Sequence, residues 1–164
     1  MLKKNDVGPQ TYRDAMARFA GAVHVVTTDG PAGKRGATVI AACSVSDTPP
    51  TVLVCLNREN EKNDAFVRNG NFALNTLAAD QQAIAAAFSG QTGLSEAERF
   101  KLAEWDRIES GAPTLAGALA VFDCEIIDTK DHATHRILFG KVAGIRIGDA
   151  LHPLMYFNRS YRNL

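Results

Sequence analysis

The sequence predicts a mostly β domain with a few short helices, built as an antiparallel Greek-key barrel. Three observations predict it. The chain has 164 residues, 46% of them hydrophobic, enough to bury one core without external staples. Its β-branched and aromatic runs are short and bounded by clusters of Gly, Pro and Asp. Those runs are joined mainly by turns rather than by regular crossover helices, which argues against a doubly wound parallel sheet. With no repeat, linker or low-complexity stretch, one domain over residues 1–164 is expected.

Taken in order, residues 11–19 place Tyr12, Ala15, Met16 and Phe19 at helical spacing behind a capping-type Thr11, so a short amphipathic helix opens the domain. Residues 22–28 and 37–45 read as the two strands of a hairpin around the Gly- and Pro-containing turn at 29–35. A second turn at 47–50 precedes residues 51–56, whose unbroken apolar run suits a central strand buried on both faces. Residues 63–69 suggest a helical turn capped by Gly70, followed by a strand over 72–77. Helices are expected over 81–88 and 95–103, the second opened by a Ser95/Glu98 capping box, with a loop at 89–93. Two long strands over 118–127 and 136–147, separated by a loop at 128–135, and a short one at 154–157 complete six or seven strands.

Composition excludes several classes of function. Eighteen Lys plus Arg balance eighteen Asp plus Glu, so no broad field draws the chain to nucleic acid or an anionic membrane. Cys43, Cys55 and Cys124 form no CxxC pair and leave an odd count, which suits reduced thiols in the cytoplasm. His24, His132, His135 and His152 are not clustered as a zinc site requires, so no metal is expected. No apolar stretch reaches the roughly 18 residues of a membrane span. A cytoplasmic protein acting on a small molecule is the expectation.

Three constellations could carry chemistry. Residues 36–46 combine small side chains with the hydroxyls of Thr38, Ser44 and Ser46, which suits a flat ring with polar edges; an ordinary strand with small packing residues accounts for it as well. Residues 57–63 form a polar loop with Arg58, Lys62 and backbone amides available to a phosphate, although Glu59 and Glu61 offset the cations as they would on any solvated loop. His135 follows Asp131 and His132 ahead of a strand, where an imidazole could donate a hydrogen bond or simply belong to a surface turn. There is no GxGxxG, GxxxxGK[ST], GxSxG or HExxH, so a Rossmann site and the common hydrolase motifs are not expected.

The ordered segments AGAVHVVTTDGPAGKRGATVIAACSVSDTPPTVLVCLN, NGNFALNTLAADQQAIAAAFSG, ERF with Trp105, GAPTLAGALAVFDCEI, THRILFGKV and PLMYFNRSY cover nearly the whole chain. Together they resemble the short-chain NAD(P)H:flavin reductases, the reductase components of two-component flavin monooxygenases, whose fold is the FMN-binding split β-barrel. The resemblance implies FMN or FAD as flavin, NADH or NADPH as hydride donor, a homodimer, free flavin as substrate, and a flavin-dependent monooxygenase as partner. It implies that the segment carrying Thr38, Ala41, Cys43, Ser44, Val45 and Ser46 lies along the isoalloxazine ring. The loop carrying Asn57, Arg58, Asn60 and Lys62 would reach the ribityl chain and phosphate. Phe88, Ser89, Arg99 and Phe100 would add flavin and partner-subunit contacts, and Tyr156, Arg159 and Tyr161 would close the site. His135 is expected to position the nicotinamide.

Two departures from the family pattern bear on the site. Relatives read Gly-Asp-His where this chain reads Ala133-Thr134-His135, which leaves Asp131 or His132 to supply any neighbouring polar group. The loop after Asn57 lacks the serines common in relatives, so Asn60, Lys62 and Asn63 are the candidates for phosphate contacts. Within the family the chain is similar both to flavin reductases of pyrimidine-ring oxidation and to reductases of corrin cobalt in cobalamin synthesis. A non-catalytic flavin-binding protein on the same barrel is the alternative from another class.

Overall fold

The computed structural model describes residues 7–164. In chain order the elements are α1 (Pro9–Met16), β1 (Gly21–Ala22), β2 (His24–Thr28), β3 (Arg35–Val39), β4 (Ala42–Asp47), β5 (Pro50–Asn57), α2 (Asp64–Asn69) and β6 (Asn71–Thr76). There follow α3 (Gln82–Phe88), α4 (Glu96–Phe100), β7 (Trp105–Asp106), β8 (Thr114–Leu115), β9 (Ala120–His132), β10 (His135–Ile147), β11 (Leu154–Phe157) and β12 (Ser160–Asn163). Short 3-10 turns at Glu61–Asn63 and Ala79–Gln81 lead into α2 and α3.

Seven strands form one antiparallel sheet in the order β3-β2-β6-β9-β10-β5-β4. Strand β5 is followed in sequence by β6, which lies three places away, with β9 and β10 between them; this is the expected Greek-key crossing. The ladder is open, so the barrel is split: its two edge strands, β3 and β4, are successive pieces of chain joined through Ile40 and Ala41 and do not pair with each other. The single strand expected over 37–45 is therefore two strands meeting at a corner. There Ala42 N–H donates to Ile40 O at 2.8 Å, and Cys55 N–H donates to Ala41 O at 2.9 Å, which pins the corner to β5.

The rolled sheet buries side chains on both faces. Val25 and Val26, adjacent on β2, point opposite ways into two clusters, because strand side chains alternate. One cluster gathers Val26, Val54, Leu56, Phe66, Phe72, Leu74 and Leu138 inside the sheet. The other packs Val23, Val25, Leu77, Leu115 and Leu154 against Phe88 and Phe100 of α3 and α4.

Several expectations are corrected in detail. Helix α1 starts at Pro9, whose fixed φ suits the first helical position, and none of its residues is buried. Strand β5 lies next to the edge strand β4 rather than at the sheet's centre. The loop expected at 128–135 is strand except for a two-residue turn at Ala133 and Thr134, since β9 and β10, 13 residues long each, stay paired with each other beyond the end of β6. Those residues are polar because solvent lies on both sides, not because the chain is irregular. Strand β12 was not foreseen; it pairs with β11 through a turn in which Asn158 and Arg159 have φ of 50° and 62°, the geometry of a tight hairpin.

Candidate functional site

A cleft of about 390 Å³ opens where β3, the Ile40–Ala41 corner, the end of β5, the loop after it, the end of α3 and the start of β10 converge. The volume is in the range of small-molecule sites. Eight of the expected residues line it: Thr38, Ala41, Asn57, Asn60, Asn63, Phe88, Ser89 and His135. They come from four separate stretches of sequence, so only the fold brings them together.

The floor is set by packing. A Cβ at Gly36 would lie 2.5 Å from Phe88 Cε1, so the missing side chain makes room for the Phe88 ring rather than for a ligand. Phe88 in turn stacks edge-on against Phe100, 5.1 Å between centroids, with Trp105 5.0 Å from Phe100. Phe100 thus supports the cleft from behind. Thr38 Oγ1 donates to Ala85 O at 2.6 Å, so its proton holds α3 against β3 and only its lone pairs remain for a ligand.

The loop after β5 is self-capped. Asn57 Oδ1 accepts from Glu59 N–H at 2.9 Å, and Asn60 Oδ1 accepts from Lys62 N–H at 3.2 Å. Asn63 Nδ2 donates to Asn57 O at 2.9 Å. The Nδ2 groups of Asn57 and Asn60 have no partner among the described residues and are donors ready for an anion. Arg35, buried at the cleft's edge, donates to Asn63 Oδ1 and, at 2.8 Å, to Glu96, which also accepts from Gly36 N–H. Lys62 lies outside the cleft, in an adjoining one shared with Lys34 and Arg68. Arg99 donates to Leu94 O at 3.0 Å and sits 3.8 Å from Glu96, which keeps it in the α4 cap.

At the other wall, His135 stands directly opposite Asn57 across the β10–β5 ladder. Its Nδ1 is hydrogen-bonded to Thr134 Oγ1 at 2.8 Å, which leaves Nε2 for a ligand. Asp131 does not reach His135: its carboxylate accepts from Arg136 Nε at 2.6 Å and lies 3.3 Å from Arg58 Nη2. The Arg136 guanidinium accordingly holds the Asp131 carboxyl below its usual value.

The Thr38 to Ser46 segment is divided by the corner. Ile40 and Ala41 also border a second, more apolar cleft of about 390 Å³ with Met16, Phe19, Tyr156 and Arg159. Arg159 pairs with Asp14 of α1, and Tyr161 packs on Tyr156 at 5.4 Å. Cys43, Ser44 and Ser46 line a third cleft of about 380 Å³ beyond the corner, together with His24, Phe122 and Ile145. Val45 is the extra residue of a bulge between Ser44 and Ser46 and stands 48% exposed. Sequence reasoning missed Arg35, Ile40 and Cys55 as cleft residues. Arg35 looked like part of a polar turn, and nothing in a sequence marks an arginine that tertiary contacts will bury.

An open, rolled antiparallel sheet with a polar-ended, aromatic-floored cleft at its corner is an architecture shared with solved flavin reductases. The flavin reductase like domain model matches residues 16–164, and the chain belongs to that family. It is 47% identical to the NADH-dependent FMN reductase RutF 2 of Methylorubrum extorquens over 158 residues, covering 96% of this chain and 91% of that protein. It is 44% identical to the NADH-dependent FMN reductase RutF of Pantoea ananatis, covering 99% and 84%. Among solved structures it superimposes with TM-score 0.87 and 30% identity on BorF, the flavin reductase component of a bacterial two-component tryptophan halogenase, covering 96% of this chain and 98% of BorF.

Proposed function

We propose that this protein is an NADH-dependent flavin reductase that takes free FMN, or FAD, as substrate and delivers reduced flavin to a flavin-dependent monooxygenase. The observation that carries the reading is the single cleft joining the unpaired amides of Asn57 and Asn60, the Phe88 floor and His135. This donor set fits the group: neutral amides for a phosphate and ribityl chain, an apolar corner for a flat ring. When bound, flavin supplies the acceptor for a hydride from the nicotinamide. The chain supplies binding and orientation. Asn57 and Asn60 hold the anionic end, the corner at Ile40–Ala41 and the strand on to Ser46 flank the ring, and His135 Nε2 positions the nicotinamide at reacting distance. Tyr156 and Arg159 border the adjoining cleft.

The protein assembles as a homodimer in the cytoplasm. Support for the dimer comes from the apolar third cleft and the uncovered Val45 and Ile145 beside it, at 48% and 54% exposure. Among the described residues no helix is long and apolar enough to cross a membrane.

NADH and NADPH oxidation by the purified protein, followed at 340 nm with FMN, FAD or no flavin, tests the function. Turnover that requires and saturates with added flavin is expected. No turnover with either nucleotide despite bound flavin would overturn the reading in favour of a corrin reductase or a passive flavin carrier.

A further inference from the structure

Arg58 follows Asn57 in the loop that ends the cleft, where an exposed guanidinium looks like a phosphate ligand. In the fold it faces the other way. Its Nη1 donates to Ala133 O at 3.1 Å, its Nη2 lies 3.3 Å from Asp131, and its backbone N–H donates to Thr134 O at 2.9 Å. All three contacts are to the β9–β10 hairpin tip, the segment that carries His135. Asp131 is also gripped in a two-pronged contact by Arg136, at 2.6 and 3.2 Å, and Arg136 Nη1 reaches Asp64 at the start of α2 at 3.0 Å. The chain Arg58–Asp131–Arg136–Asp64 therefore links the loop after β5, the hairpin tip and the first turn of α2.

We infer that Asp131 and Arg58 are positioning residues that lock the Asn57–Asn60 loop to the His135 hairpin, so that the flavin end and the nicotinamide end of the cleft keep a fixed separation. The inference rests on the flavin reductase reading. Hydride transfer requires the two rings at contact distance, and sub-ångström errors in that spacing are costly in rate. Strand β10 stays paired with β5 as far as His135, but β9 beyond Ile126 has left β6 and pairs only with β10, so the Asp131–Thr134 tip is held by the sheet on one side only. Exposed ion pairs contribute little to global stability, which separates a positioning role from a structural one.

The test uses the full-length protein with FMN and with riboflavin, which lacks the phosphate. Asp131→Ala and Arg58→Ala are each expected to lower kcat/KM about tenfold for both flavins, with Tm within about 2 °C of the parent. Asp131→Glu should recover most of the loss. In a His135→Ala background, Asp131→Ala should add less than about twofold, because the hairpin no longer carries the group being positioned. A loss confined to FMN would make Arg58 a direct phosphate ligand and overturn the inference. So would unchanged kinetics, a loss that multiplies with His135→Ala, or a loss that Asp131→Glu does not recover. Should the parent itself neither bind FMN nor oxidise NADH, the proposed function falls and this inference with it; active parent and unaffected variants would sink the inference alone.

Discussion

Gly36 and Phe88 show how the cleft depends on a side chain that is absent. Any Cβ at Gly36 collides with the Phe88 ring, and Phe88 cannot retreat because Phe100 and Trp105 stand behind it, 5.1 and 5.8 Å away. Gly36→Ala should therefore destabilise the fold by about 1–3 kcal/mol through overpacking and should weaken flavin binding by tilting the floor. Denaturant unfolding and a fluorescence titration with FMN check the two effects. In the proposed function His135 acts on the reaction rather than on affinity, since Thr134 holds its Nδ1, and the proposed anion-binding amides of Asn57 and Asn60 lie on the opposite strand and the loop after it. His135→Ala should slow flavin reduction at least tenfold more than it weakens FMN binding; equal losses in stopped-flow reduction and in titration would count against that role. At this scale the sequence was only partly informative. Thr38, Asn57, Phe88 and His135 could be singled out from residue type and family likeness, but the Thr38 hydroxyl's engagement with Ala85 O could not.

Among the elements, the β9–β10 hairpin departs most from expectation. Its polar tip resembles a loop because strand signals in sequence are largely hydrophobic signals, and a ribbon solvated on both faces has none. What holds it is cross-strand pairing, with Arg136 opposite Asp131 and His135 opposite His132. The turn itself is strained: Ala133 has φ of 49°, a conformation that costs an alanine about 1–2 kcal/mol and a glycine almost nothing. Ala133→Gly, which restores the residue typical of the family's motif, should raise stability by about 0.5–1 kcal/mol after the glycine's extra unfolded-state entropy is deducted. A Tm rise of about 1–3 °C is the expected readout. The α4 capping box, by contrast, was legible in full: Ser95 Oγ accepts from Glu98 N–H, and the Glu98 carboxylate accepts from Ser95 N–H at 2.8 Å, a purely local exchange.

On the scale of the molecule, acid should unfold this protein through His24. Burial pushes the His24 imidazole down to about 4, against an ordinary 6.5, while Nδ1 bonds Thr76 Oγ1 at 3.0 Å. The folded protein holds this group neutral and the unfolded chain binds the proton more readily. Its contribution is complete above about pH 6.5 and is lost as pH falls toward 4. The unfolding free energy should drop by up to about 3 kcal/mol across that window, and His24→Gln should flatten the slope in denaturant titrations between pH 4 and 7. His24 also lines the third cleft, beside Val45 and Ile145. If that face joins two copies, Ile145→Glu should convert the dimer to a monomer by light scattering and raise KM for flavin at least several-fold, because a charge cannot be buried there unpaired. A dimer that survives this substitution unchanged would move the interface elsewhere.

The sequence by itself determined what depends on local pattern and composition: the β class, the order and rough extent of most strands, the cap of α4, the glycine at the end of α2 and the absence of a net field. Through many ordered motifs it also determined the family. Tertiary structure alone decided that the stretch around Thr38 to Ser46 turns a corner and serves three clefts, that Arg35 is buried, and that Arg58 faces the hairpin instead of the cleft. The physical reason is the same in each case. Local preferences act over a few residues and can be read along the chain, whereas which groups meet across a rolled sheet is set by register and closure between strands dozens of residues apart.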